Sequence, residues 1–200
     1  MDDSMHVRRA ITFLLGCWFA TVTVVAINAG ISFDVAEMAA KTPPGELSRP
    51  LAMLTEFEAR QFPRYIASEV NRAMFERFGL IELGLVIAIA LTLFMHGYSR
   101  PATILSGVLL ILVCASSFLL TPQLVAQGRV LDFRAAEMFQ EERARFANLH
   151  RLYGALTLLR IACGAGITWI MLKRSRSAYK RRSPDEIYTV NNANDGEIDG

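Results

Sequence analysis

The chain has 200 residues, 52% of them hydrophobic and 20% charged, with a formal net charge of +2. Its mean hydropathy of +0.30 is high for a soluble protein of this length. The charges crowd between and after four nearly uncharged stretches, whereas the helices of a soluble core interleave polar residues every turn, so an ordinary soluble domain is excluded. The basic residues are arranged by position and not by excess, and no nucleic-acid partner is expected.

Residues 1–9 are expected to be a cytoplasmic N-terminus, with Arg8 and Arg9 beside the first apolar stretch, 10–33. A hydrocarbon core about 30 Å thick needs about 20 residues of helix, which this stretch supplies. It is longer than a signal-peptide core and has no convincing small-x-small cleavage site, so it reads as a retained span. Gly16 with Ala20, and Ala26 with Gly30, suit close packing of this helix against another.

After the breaker TPPGE, Phe57, Phe62, Tyr65, Ile66, Val70, Met74 and Phe75 recur at helical spacing among charges. The pattern predicts an amphipathic helix at the membrane surface, kinked or restarted near Pro63, leading into the second span. That span, 78–97, contains one charge, Glu82. The turn HGYSRP joins it to the third, 102–121, with Pro101 acceptable at the first helical turn and Pro122 predicted to close the helix. Residues 130–149 again place Leu131, Phe133, Met138, Phe139, Phe146 and Leu149 among Arg and Glu, predicting a second amphipathic helix. The fourth span, 152–172, holds Arg160. Span, outer helix and returning span thus occur twice.

Residues 173–200 begin as KRSRSAYKRR and turn acidic and polar, predicting a basic segment at anionic headgroups and a disordered cytoplasmic tail. Lys and Arg in this tail, at Arg8 and Arg9, and at Arg100 lie on one side of a four-span protein. The loops on the other side dilute their Lys and Arg with nearly equal acid. The positive-inside rule then puts both chain ends in the cytoplasm, in a bacterial inner membrane.

Ionisable residues inside spans are costly and functional by default. Glu82 lies about 6 Å and Arg160 about 12 Å inside the outer ends of their spans at 1.5 Å per residue, close enough to pair. His150, Tyr153, Thr157, Arg160 and Gly164 follow one another by three, four, three and four residues, on one stripe of the fourth span. With Asn28 and Glu82 they outline a polar pocket in the outer half of the bundle, or a clamp between spans two and four.

His150 is the only metal-ligand candidate, because His6 and His96 fall on the opposite surface. Cys17, Cys114 and Cys163 show no metal spacing, and the methionines form no M-x-x-M cluster. No phosphate loop, hydrolase triad or H-E-x-x-H is present, so no enzyme activity and no cofactor is expected. A haem or metal ion at His150 stays open as a redox alternative.

The layout of residues 10–172, with FANLHRLYGALTLL entering the last span, resembles the transmembrane protein 205-like family, a membrane domain of unknown function. The resemblance rests on F-x-x-L-H at Phe146, Leu149 and His150. Family members tend to carry Ser three residues after the His and Asn four further on, where this chain has Tyr153 and Thr157. The family implies no established reaction, although its eukaryotic members are associated with metal-drug handling.

The sequence therefore predicts an all-α, integral-membrane four-helix bundle with amphipathic helices in its two extracytoplasmic loops. Three functions stay open: a protein that binds or passes a small solute or metal ion, a scaffold component without a ligand, or a small haem or metal redox protein. The expected partners are membrane lipid and either copies of itself or other membrane proteins.

Overall fold

The computed structural model describes residues 3–134 and 139–180. The acidic tail and Met138 lie outside the described residues. Helix α1 spans Asp3–Lys41 and stops before the proline pair that follows Thr42. The short α2, Gly45–Ala52, leads to α3, Glu56–Met95, and a turn then opens α4, Arg100–Cys114. A π-helical turn, Ala115–Leu120, carries α4 directly into α5, Thr121–Leu131, and α6 runs Gln140–Lys180. There is no strand among the described residues, and α1, α3, α4–α5 and α6 are each long and apolar enough to cross a membrane.

Local chemistry sets these boundaries. Thr55 and Glu58 form a capping box at the start of α3, the Glu58 carboxylate accepting the Thr55 N–H at 3.0 Å. At the other end Gly97 takes φ +54°, and the N–H groups of Gly97 and Tyr98 reach back to the Phe94 and Leu93 carbonyls. This closes α3 in a Schellman motif, which turns the chain tightly into α4.

Two prolines behave differently from the sequence expectation. α3 does not restart at Pro63 but runs through it from its capped start at Glu56. Nor does Pro122 close the third span, since the helix runs on to Leu131. A proline ring collides with the carbonyl four residues back, here Phe118, and cannot supply its N–H. The π turn widens the helix just before the ring, and the Thr121 N–H and hydroxyl both donate to the Ser116 carbonyl, the hydroxyl at 3.0 Å. The loop-side amphipathic segments are therefore mostly continuations of the span helices; among the described residues only α2 is a separate loop helix.

At 1.5 Å per residue α3 is about 60 Å long, twice the hydrocarbon thickness, and α1 and α6 are similar. The bundle thus has two storeys. The one beside the 96–99 turn is a dry core in which Ile11, Leu15 and Trp18 of α1 meet Val86, Ile89 and Leu93 of α3, Leu109 and Val113 of α4, and Ile167 of α6. The three-and-four spacing of these residues is that of helices packed side by side at a shallow angle. The other storey is tied by charge. Arg72 of α3 grips Asp132, the residue after α5, in a two-pronged bond of 2.8 and 3.0 Å, and holds Glu69 at 2.6 Å. Neither contact was evident from the sequence.

Around the bundle α1 packs along α3, α3 against α4, and α4–α5 against α6, with α1 and α6 touching least. They meet tightly at Gly164, where an added Cβ would lie 2.5 Å from the Trp18 ring. Gly16 and Gly30, the expected close-packing glycines of α1, have open space around them instead. Spacing of small residues reports where helices could approach, but only the partner's bulk decides where they do. Gly164→Ala is expected to destabilise by about 1–3 kcal/mol through overpacking on Trp18. Gly16→Ala should be neutral or slightly stabilising. Thermal unfolding of both variants in detergent separates the two positions.

Candidate functional site

The stripe of α6 residues at three-and-four spacing turns inward at its middle. Arg160 is 3% exposed and donates to Glu82 Oε2 of α3 at 2.7 Å. Its second terminal nitrogen donates to the Thr157 hydroxyl at 2.7 Å, and that hydroxyl donates to the Tyr153 carbonyl at 2.9 Å. The guanidinium also sits 5.4 Å from the centre of the Tyr153 ring, an attractive placement for a cation. The other Glu82 oxygen accepts the Trp18 indole N–H of α1 at 3.1 Å. Three helices are thus joined at one level by one carboxylate, and the pair is neutral as a whole.

Trp18 was not among the residues singled out from the sequence. The signal available was an indole deep within a span, away from the interfacial belts where Trp concentrates, with an N–H that needs an acceptor. Counting depths from the ends of the apolar stretches hides the contact. The 10–33 stretch runs past the others on the loop side, so its middle does not lie level with theirs. Contact geometry sets the level instead.

Directly on this ionic floor lies a cavity of about 430 Å³. Val22, Val25 and Ala29 of α1, Phe75, Phe78 and Gly79 of α3, and Tyr153, Gly154 and Thr157 of α6 form its walls, with Ser117 and Thr121 behind. The lining is mostly apolar. Ala26 and Gly154 are exposed and Leu158 is 70% exposed, which puts the mouth at the seam where α1 and α6 part. A second, smaller chamber of about 130 Å³ lies toward the loop side and shares Phe75, Thr121, His150 and Tyr153 as walls.

Five of the six residues predicted for a pocket therefore border this space: Glu82, His150, Tyr153, Thr157 and Arg160. Asn28 does not, because its amide donates to the Val24 carbonyl of its own helix at 3.0 Å. His150 is exposed and stacks on Phe146 with ring centres 6.2 Å apart. Among the described residues no three His, Cys, Asp or Glu side chains gather closely enough to share a metal ion, and the three cysteines are unpaired.

The chemistry open to this arrangement follows from its bonding. Both Glu82 oxygens are occupied, so the carboxylate is a poor candidate for a proton-abstracting base. Arg160 spends its terminal nitrogens on Glu82 and Thr157, while its buried Nε has no partner. The floor holds helices in place and gives the cavity one polar end.

Removing one member of a buried ion pair leaves the other charge uncompensated, at a cost of about 3–5 kcal/mol. Glu82→Gln and Arg160→Met are each expected to lower the unfolding temperature sharply, with the double variant recovering most of the loss. Trp18→Phe should cost about 1.5–3 kcal/mol, the worth of a hydrogen bond to a charged group. A double-mutant cycle followed by thermal unfolding in detergent checks all four variants.

Compared with known protein families, with curated proteins and with solved structures, the chain matches none, so its function has to be argued from the geometry above.

Proposed function

We propose that this protein is a non-enzymatic membrane protein that binds a small, largely apolar molecule in the cavity above the Glu82–Arg160 floor. The observation behind this reading is the cavity itself. A helix bundle that needed only to stand would close the α1–α6 seam with side chains, as the dry storey below does. Here small residues face the space from α1 and α6, namely Ala26, Ala29 and Gly154. An organic solute fits the lining better than a metal ion, given apolar walls and no cluster of ligating side chains among the described residues.

The reading includes a bacterial inner membrane with both chain ends in the cytoplasm, supported by Arg8, Arg9, Arg100 and Lys173 at one end of the bundle. Kinship with the transmembrane protein 205-like family, on Phe146, Leu149 and His150, belongs to the same proposal. A second reading, a scaffold component whose ionic layer is only a clamp, is favoured by the full use of Glu82 within the protein.

The test fills the cavity without touching the floor. A Cβ at Gly154 meets nothing within 4 Å, so Gly154→Leu should fold normally and occupy the space. In a thermal-shift screen of small apolar compounds, wild type is expected to gain stability with some of them and Gly154→Leu with none. If no compound distinguishes the two proteins, the scaffold reading stands in its place.

A further inference from the structure

The smaller chamber contains a buried polar group without a partner. Asn71 of α3 is 5% exposed, lines the chamber, and its side-chain N–H₂ has no hydrogen-bond acceptor. Leaving a buried donor unsatisfied costs about 1–3 kcal/mol, so such groups call for an explanation. A leucine would fill the same volume without that cost. The amide nitrogen itself is sealed from the chamber, and it is explained if a turn of the Asn71 side chain meets an acceptor on something that enters there.

The rest of the lining narrows what that is. Phe33, Phe75, Phe146, Tyr153 and His150 put aromatic surface around the amide. At about 130 Å³ the chamber is close in size to apolar cavities of about 150 Å³ that take up one benzene ring. Arg72 also borders it, with its charge committed to Asp132 and Glu69. An amide N–H₂ beside a guanidinium favours a carbonyl oxygen and disfavours an amine or other cation. The chamber shares Phe75, Thr121, His150 and Tyr153 as walls with the larger apolar cavity, so a chain attached to the ring has only to pass between these side chains to lie there.

Resting on the reading that the larger cavity binds a ligand, we propose that the ligand is a single aromatic or quinonoid ring that bears a carbonyl oxygen and an apolar tail. The ring lies in the Asn71 chamber with its carbonyl accepting the Asn71 amide, and the tail lies along α1 and α6 above Glu82 and Arg160. Lipid-soluble quinones and alkyl aryl ketones have this chemistry. No electron transfer is part of the proposal.

The experiment compares two probes on the full chain in detergent: 4-decylacetophenone, and decylbenzene, which has the same ring and tail without the carbonyl. The ketone is chosen because it does not alkylate the free cysteines. Wild type should be stabilised by the ketone at concentrations about tenfold below those needed for decylbenzene, the factor worth one hydrogen bond of about 1.4 kcal/mol. Asn71→Leu should unfold at the same temperature as wild type or higher when no probe is present, and should respond equally to both probes. Asn71→Ala makes the same comparison should the leucine variant not fold. Gly154→Leu should lose the response to both probes.

If both probes bind wild type equally and Asn71→Leu changes nothing, the ring assignment fails while the cavity reading survives. Failure of both probes to stabilise wild type overturns this assignment, and the compound screen above decides the cavity reading separately. A fall of several degrees in the unfolding temperature of probe-free Asn71→Leu would show an amide satisfied within the protein, and that too overturns the proposal.

Discussion

Charges placed within the apolar part of a helix bundle must find each other, and here the meeting point organises everything around it. Glu82 has two oxygens to fill. One takes Arg160 from α6 and the other takes Trp18 from α1, so a single carboxylate sets the relative height of three helices. Sliding any one of them by a turn, about 5.4 Å, would break a bond that no lipid can replace. Apolar packing is more forgiving, because one leucine-lined groove resembles the next. The ionic layer therefore supplies register, and the core of Ile11, Ile89, Leu109 and Ile167 supplies cohesion below it.

The layer also separates two kinds of interior. On the side of the 96–99 turn the fully buried side chains of the core occupy the space between the helices. On the other side their continuations are held by the Arg72–Asp132 clasp, by the Phe75–Tyr153 ring pair and by Tyr65 against Phe133. These contacts leave α1 and α6 apart. Hollow and solid parts of one bundle thus follow from where the polar bonds fall, with the π turn at Ala115–Leu120 at the wall of the hollow part.

Much of this could be read in the sequence, and what escaped lies partly between helices and partly in the bonding within one. Hydropathy located all four spans, and a period of 3.6 placed His150, Tyr153, Thr157 and Arg160 on one stripe; four of the six pocket residues named come from that stripe. Depth arithmetic brought Glu82 within reach of Arg160. Each inference concerns one helix, or two helices measured from a shared surface. Two of the failures concern relations between helices, and two concern bonding within one. Trp18 was missed because the apolar stretch of α1 runs further toward the loop side than those of α3 and α6, so depth counted from its end misleads. Asn28 was included on depth alone, although a polar residue can satisfy itself on its own helix. Gly16 was named for packing and Gly164 does the packing. At Pro122 the rule that proline ends a helix gave way to a π turn, an outcome that depends on Thr121 and Ser116 bonding across five residues.

The mouth between Ala26 and Leu158 has a consequence for how any occupant would be encountered. It opens sideways, through the wall of the bundle, at a level just past the ionic layer where the surrounding surface is still apolar. A molecule using it arrives from among lipid tails and not from water. Its supply is then set by its mole fraction in the bilayer, and its partition coefficient enters every apparent affinity. Two compounds that fit equally well would differ in apparent strength by the ratio of their solubilities in lipid. For such an occupant the membrane would be a first selector, before any side chain of the protein is reached.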